Sequence, residues 1–299
     1  MPITGIYFIP SHPNTTTVLP ALTERLRTAY PEQDLVPIGR WALEHKLMRD
    51  TPGLLPQSGK SSKPRYMQFL SLSHYPTHGF IYTSEPEAPH PATTHTPAQA
   101  ATPQGGSGGN AGDSPMVMTT MPPASYSTLF QHFVYAAQPF WAHRLTMSVP
   151  GGVVYEVGDF LVRMGDVRQT YPTARVRGTV VEIEWRGPSV VEGLAGDGDD
   201  EFRFAVEEAD VDAEYVATAE LIRGFWNRLR FEGAREAILV NGVGREVKEK
   251  LRRGSGRREK VTGGEGGDGV KVGGEEEDID PSAGVDVARQ YMEVLRFNR

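Results

Sequence analysis

Two stretches of this chain contain almost nothing that could be buried, and they constrain how the rest can fold. Residues 85–114 hold five Pro, five Gly and six Ala, with no Val, Ile, Leu, Met, Phe, Trp or Tyr. Residues 252–282 hold nine Gly and only four large apolar side chains. Apolar burial is what offsets the entropy of ordering a chain, so both stretches are expected to be disordered. Residues 192–214, with ten acids against one Arg, read as a further loop. Setting the two tethers aside leaves 238 of 299 residues, enough for one large domain or two small ones.

Several function classes fall away at this level. No window of about 18 apolar residues exists, so no helix is expected to span a bilayer. The start, MPITGIYFIPSHPN, lacks a basic n-region and its apolar run is broken by Pro10, so it does not read as a signal peptide. The absence of cysteine excludes a disulfide scaffold, a thiol nucleophile and any Cys-ligated zinc. Cytosol or nucleus is the expected compartment. A net charge of −7 argues against a surface built as a nucleic-acid footprint.

Periodicity predicts a strand over Ile3–Ile9 and a helix over Thr15–Ala29, with Leu19, Leu22 and Leu26 on one stripe and Pro20 in its first turn. Leu35–Leu47 reads as a strand, and residues 51–64 as a loop. Tyr66–His74 and His78–Thr83 form an expected hairpin through Tyr75-Pro76-Thr77. Met116–Thr120 reads as another strand. A helix capped by Ser125 or Ser127 follows, with Tyr126, Leu129, Phe130, Phe133, Val134 and Ala137 on one face. Arg144–Val149, Val153–Met164 and Arg175–Trp185 read as strands. In the last, Val181, Ile183 and Trp185 alternate with Glu182 and Glu184, which predicts one buried and one solvated face. A helix over Glu214–Phe231 carries Leu221, Ile222, Phe225, Trp226 and Leu229 in one broad stripe, and Ala237–Val240 is a short strand. Asp280 and Pro281 have the chemistry of a helix start, opening a last helix with Val287, Ala288, Tyr291, Met292 and Leu295 on one face. Strands that do not alternate strictly with helices favour α+β.

The run from Tyr155, YEVGDFLVRMGDVRQTYPTARVRGTVVEIEW, resembles the signature of the Mediator subunit 20 family. The segment Asp286-Val287-Ala288-Arg289-Gln290-Tyr291-Met292-Glu293 resembles the C-terminal helix of the same family. Tyr66-Met67-Gln68-Phe69-Leu70 with Ser73, and the aromatic helix around Leu129-Phe130, fall in the same order. The resemblance implies a single domain over 1–299 with disordered insertions at 85–114, 192–214 and 245–282. It implies an antiparallel β-barrel with helices packed outside, related to the Mediator subunit 18/20 and triphosphatase-tunnel barrels. It also implies a nuclear, non-catalytic subunit of the Mediator head module. Such a subunit would pair with subunit 18, itself tethered by a C-terminal helix of subunit 8, and would join other head-module subunits and RNA polymerase II in transcription regulation. No catalytic, cofactor-binding or metal-binding residue is implied.

Against that stands a second reading, a metal-dependent RNA triphosphatase-like barrel enzyme. Glu182 and Glu184 share one strand face, and two carboxylates at that spacing suit Mg²⁺ or Mn²⁺. A tunnel of that kind needs several such strands with inward Lys and Arg, whereas half-wet antiparallel strands alternate this way as a matter of course. The clusters Gly105–Gly109 and Gly263–Gly267 lack the Lys-Ser/Thr and helix of a phosphate loop, and read as linkers. His74 and His78 lack a third ligand at matching spacing and read as turn or surface residues, as His132 reads on its helix surface. Arg245–Lys260 carries eight basic residues against three acidic ones, which suits an import or nucleic-acid signal and a solvated polyampholyte equally. A third reading is a stand-alone module that binds basic peptides through the acidic 192–214 loop. Asn14-Thr15-Thr16 is a sequon without a secretory context.

Overall fold

One antiparallel sheet of nine strands organises the chain, in the order β5-β4-β3-β2-β6-β7-β8-β1-β9. The structure, a computed structural model, describes residues 2–11, 17–33, 35–51, 64–84, 116–189, 207–258, 280 and 282–296. In chain order the elements are β1 (Thr4–Pro10), α1 (Leu19–Ala29), β2 (Pro37–Asp50), β3 (Tyr66–Leu72), β4 (Gly79–Ser84) and β5 (Met116–Met121). They continue with α2 (Pro123–Tyr135), β6 (Trp141–Val157), β7 (Phe160–Tyr171), β8 (Arg175–Trp185) and α3 (Glu208–Arg228), then β9 (Arg235–Ala237), α4 (Arg245–Arg258) and α5 (Val285–Val294). Strands and helices are mixed around one large antiparallel sheet, as an α+β reading requires.

Both faces of the sheet are covered. On one, α1 and α3 bury Leu22, Leu26, Ile222 and Phe225 against Tyr7, Val181 and Ile183. On the other lies α5, whose Val287, Tyr291 and Met292 meet Phe8, Leu70, Phe80 and Val180. α5 touches β1 and β9 at one end of the strand order and β3 and β4 towards the other, so the sheet curls around it. A smaller cluster packs α2 on β3 and β4 through Tyr126 and Phe69. The large antiparallel sheet is as expected, closure into a barrel is not shown, and the expectation that the helices all pack outside is corrected. Among the described residues no ladder joins β5 to β9, and one helix sits within the curve.

Several boundaries moved for local reasons. The expected strand Val153–Met164 is two strands: Gly158, at φ +58°, turns the chain between Val157 and Phe160. Pro150-Gly151-Gly152, read as a break, lies instead inside β6, where the register to β7 shifts between Ser148 and Val153 and bends the strand. Gly152 is required there, because a Cβ would stand 2.1 Å from Trp41 Nε1. α2 starts at Pro123 with no side-chain cap, so neither Ser125 nor Ser127 caps it; proline's fixed φ suits a first helical turn. α1 begins only at Leu19, and Thr15 and Thr16 lie outside the described residues.

The insertions 192–214 and 245–282 are also corrected in part. Residues 208–214 are helix, started by a capping box in which Glu207 and Asp210 exchange bonds with each other's backbone N–H. Residues 245–258 form α4, which seats Val247 against α3. Insertion 85–114 and both glycine clusters lie outside the described residues.

Candidate functional site

Strand register puts Arg163 of β7 directly opposite Glu182 of β8, with Ile6 of β1 on the other side of Glu182. Glu182 is fully buried and Glu184 is 6% exposed. The Arg163 guanidinium donates to both carboxylates, bonding Glu182 Oε1 and reaching Glu184 Oε2 at 2.6 Å. From α5, Tyr291 donates its hydroxyl to Glu182 Oε2 at 2.6 Å, and Arg186 Nε donates to Glu184 Oε1 at 3.1 Å. His74 Nε2 stands 3.5 Å from Glu182 Oε1. Burial alone would raise the Glu182 pKa. The charges of His74 and Arg163, with the bonds from Tyr291 and Arg163, outweigh it and hold the carboxyl below its ordinary value. Burial lowers the His74 pKa and Glu182 only partly offsets this.

The solvated glutamate face is thus corrected: the alternation of β8 records two buried faces, one apolar and one ionic. Trp185, expected to be buried, is half-buried at the strand end, edge-on to Phe160 at 5.1 Å. A cation between Glu182 and Glu184 would have to displace the guanidinium that already bridges them. Among the described residues no group of three or more His, Asp or Glu is placed to hold a metal ion. Arg163 on the neighbouring strand was the signal available in sequence, legible only once the β7–β8 register is known.

The other singled-out residues are placed as follows. His78 is buried, not at the surface. Its Nε2 donates to the Ala283 carbonyl at 2.8 Å, while Thr77 donates to Nδ1 at 3.0 Å, so both ring nitrogens are engaged. His74 is also mostly buried. His132 is exposed, as its helical position predicts. Leu221, placed on the apolar stripe, is 48% exposed, while Val211, Tyr215 and Ala219 supply the buried face of α3 instead. In Arg245–Lys260, three cations are already paired with acids: Lys248 with Asp212 at 2.5 Å, Lys250 with Asp280 at 2.6 Å, and Arg252 with Glu208 at 2.6 Å. The same pairs engage part of the acidic run 192–214, where the third reading placed its basic-peptide loop. Asp280 caps the turn at Ser282 rather than a helix, and α5 starts after Gly284, at φ +75°.

α5 differs from an ordinary amphipathic helix in that its polar side is buried as well. Asp286 accepts bonds from Tyr215 OH at 2.8 Å, Gly244 N at 3.0 Å and Arg289 at 3.1 Å. Gln290 donates to the carbonyls of Thr4 at 2.7 Å and Ile238 at 2.8 Å. Buried polar groups placed this way fix the register of a helix against its surroundings. The chemistry of the site is therefore that of a latch, in which Tyr291, Glu182 and Arg163 join the last helix to the centre of the sheet. A cleft of about 360 Å³ between β5 and α4, with Val285 of α5 in its wall, is lined by residues that include Glu249 and the Lys250–Asp280 pair.

No curated protein matches this chain. Among solved structures, a candidate adenylate cyclase from Vibrio parahaemolyticus aligns at 11% identity, over 65% of this chain and 80% of its own, with a TM-score of 0.25. The PH1819 protein from Pyrococcus horikoshii OT3 aligns at 9% identity, over 64% and 82%, with a TM-score of 0.26. Scores this low carry no argument about fold or activity. The family model for the TATA-binding related factor of subunit 20 of the Mediator complex, by contrast, matches residues 1–296. That span takes in β8 with its glutamates and α5 with Tyr291, the two halves of the latch, and the chain belongs to the Mediator subunit 20 family.

Proposed function

We propose that this protein is a non-catalytic scaffold subunit of the Mediator head module, acting in the nucleus in transcription regulation. It pairs with subunit 18, which is held by the C-terminal helix of subunit 8, and through the complex helps link regulators to RNA polymerase II. Family membership over residues 1–296 carries the reading. The geometry supports it: the space a tunnel enzyme would keep open for substrate is filled by α5, and the carboxylates that would hold a metal are bound by Arg163 and Tyr291.

A scaffold pairing of this kind buries a standard interface or more, above about 1,200 Å² in total. Co-expressed with subunit 18, the chain is expected to co-elute from gel filtration at micromolar concentration. The complex should melt above either chain alone, because the partner binds only the folded state. Separate elution with unshifted melting curves would refute the pairing. Metal-stimulated, glutamate-dependent hydrolysis of a nucleoside triphosphate would refute the non-catalytic reading.

A further inference from the structure

The two edges of the sheet are protected unequally. β9 spans three residues and carries Arg235 and Glu236, and a short, charged strand is a poor template for another chain. β5, at the opposite end of the strand order, has six residues, none of them charged and none proline. It pairs with β4 from Gly79↔Met121 to Ser84↔Met116 without a register shift, so no bulge turns it away. Among the described residues its outer side has no ladder partner. The N–H groups of an antiparallel strand point to alternate sides, so about three N–H and three C=O groups of β5 face outward. Natural sheets blunt such an edge with charge, proline or a bulge, and β5 contains none of these.

The surroundings of β5 define what such an edge can hold. Val117 is 49% exposed and Thr119 is exposed as well, so one face beside the edge is open and uncharged. On the other face Met118 and Thr120 line the cleft of about 360 Å³, across which stand Lys250 of α4 and Asp280. Lys250 and Asp280 bond each other at 2.6 Å, yet each keeps 39% of its side chain exposed and retains capacity for a further partner. An outward row of amides is matched by another extended polypeptide, which completes the ladder by strand addition. We propose, on the basis of the scaffold reading, that β5 accepts one further strand from another subunit of the assembly. That segment alternates polar residues, turned to Lys250 and Asp280, with apolar β-branched residues beside Val117 and Thr119. A second copy of this chain fits less well, because an antiparallel β5 would turn only its own uncharged Met118 and Thr120 to the ionic wall.

The test compares amide hydrogen exchange, read by mass spectrometry, in the full-length chain alone and in the head-module assembly obtained by co-expression. Peptides spanning 116–121 are expected to exchange about tenfold or more slowly in the assembly, because the outward amides gain acceptors. The partner segment that gains protection in step should alternate polar with apolar residues. V117K/T119K should abolish the protection of β5, since lysines on an edge keep other strands off. Both residues are exposed, so the variant should melt near the parent; V117K alone carries the test if it does not fold. Thr28→Lys, which adds a charge on an exposed position of α1, should leave the protection intact. If the chain joins no assembly, the scaffold reading falls and this inference with it. If it joins one while β5 exchanges as before, or with protection confined to partner helices, the inference alone is overturned. A chain that dimerises alone at micromolar concentration, in a dimer that V117K/T119K dissolves, assigns the edge to a second copy and overturns it too.

Discussion

Replacing Glu182 by Ala removes the one carboxylate that both Arg163 and Tyr291 bond at the centre of the sheet. Three groups are left altered. Arg163 keeps only Glu184, Tyr291 loses the acceptor of its hydroxyl, and His74 loses the anion 3.5 Å away. Because Glu182 is fully buried, little water is at hand to replace the lost bonds. Breaking a buried ion pair from one side costs about 3–5 kcal/mol, a large share of the roughly 5–15 kcal/mol a domain possesses. Glu182→Gln keeps the volume and one acceptor, so its cost should fall nearer the roughly 1–3 kcal/mol of a weakened buried hydrogen bond. The double variant Glu182→Leu with Arg163→Met should recover much of the loss, since an apolar replacement of both partners leaves no orphaned charge. Urea unfolding followed by tryptophan fluorescence reads all three. The midpoint of Glu182→Ala is expected to drop by about 1 M or more at an unchanged slope. Trp185→Ala, at a half-buried strand end, should cost less than Glu182→Ala. A Glu182→Ala unfolding free energy within about 0.5 kcal/mol of the parent would refute the reasoning, because only a wet face tolerates the change so well.

Three further outcomes follow from the same packing. His45 is wholly buried, and burial lowers its pKa to about 4 against 6.5, although Gln68 bonds its Nε2. The unfolded chain therefore takes up this proton first, so the His45 contribution is complete above pH 6.5 and is lost as pH falls towards 4. It amounts to about 3 kcal/mol, and His45→Gln should flatten the stability profile in that window. Glu182 acts below it: its depressed pKa gives stability that is present above about pH 4.3 and lost on further acidification, and Glu182→Gln should remove that acid limb. Gly152→Ala should destabilise by about 1–3 kcal/mol in thermal melts, because Trp41, tied by Nε1 to the Met164 carbonyl at 3.1 Å, cannot yield to the added methyl.

Much of the architecture was legible in local pattern. The period-2 alternation of β8, the 3.6-residue stripe of α5 and the paired strands β3 and β4 all appear close to where periodicity predicts them. These patterns survive because each element must present one apolar side somewhere, whatever its neighbours are. Two of the boundaries that failed are those where a single glycine acts by its surroundings: Gly158 turns the chain, whereas Gly152 lets Trp41 lie on the strand.

The candidate site was not legible in the same way. A glutamate between two valine-like neighbours looks identical whether its face meets water or a buried guanidinium, and the difference lies in a residue 19 positions away on another strand. His78 and Ala283 are likewise 205 residues apart. The polar side of α5 reads as a wet helix face until Tyr215, Gly244 and Glu246 are found to meet Asp286 and Arg289 there. Sequence by itself determined most of the strands and the apolar stripes of the helices, since hydrophobic periodicity is a property of each segment alone. It missed the charged helix α4 and the first turns of α3, whose order comes from capping and from packing on neighbours. Tertiary structure decided which polar residues are buried, because burial of a charge depends on partners that only long-range register and packing bring into reach.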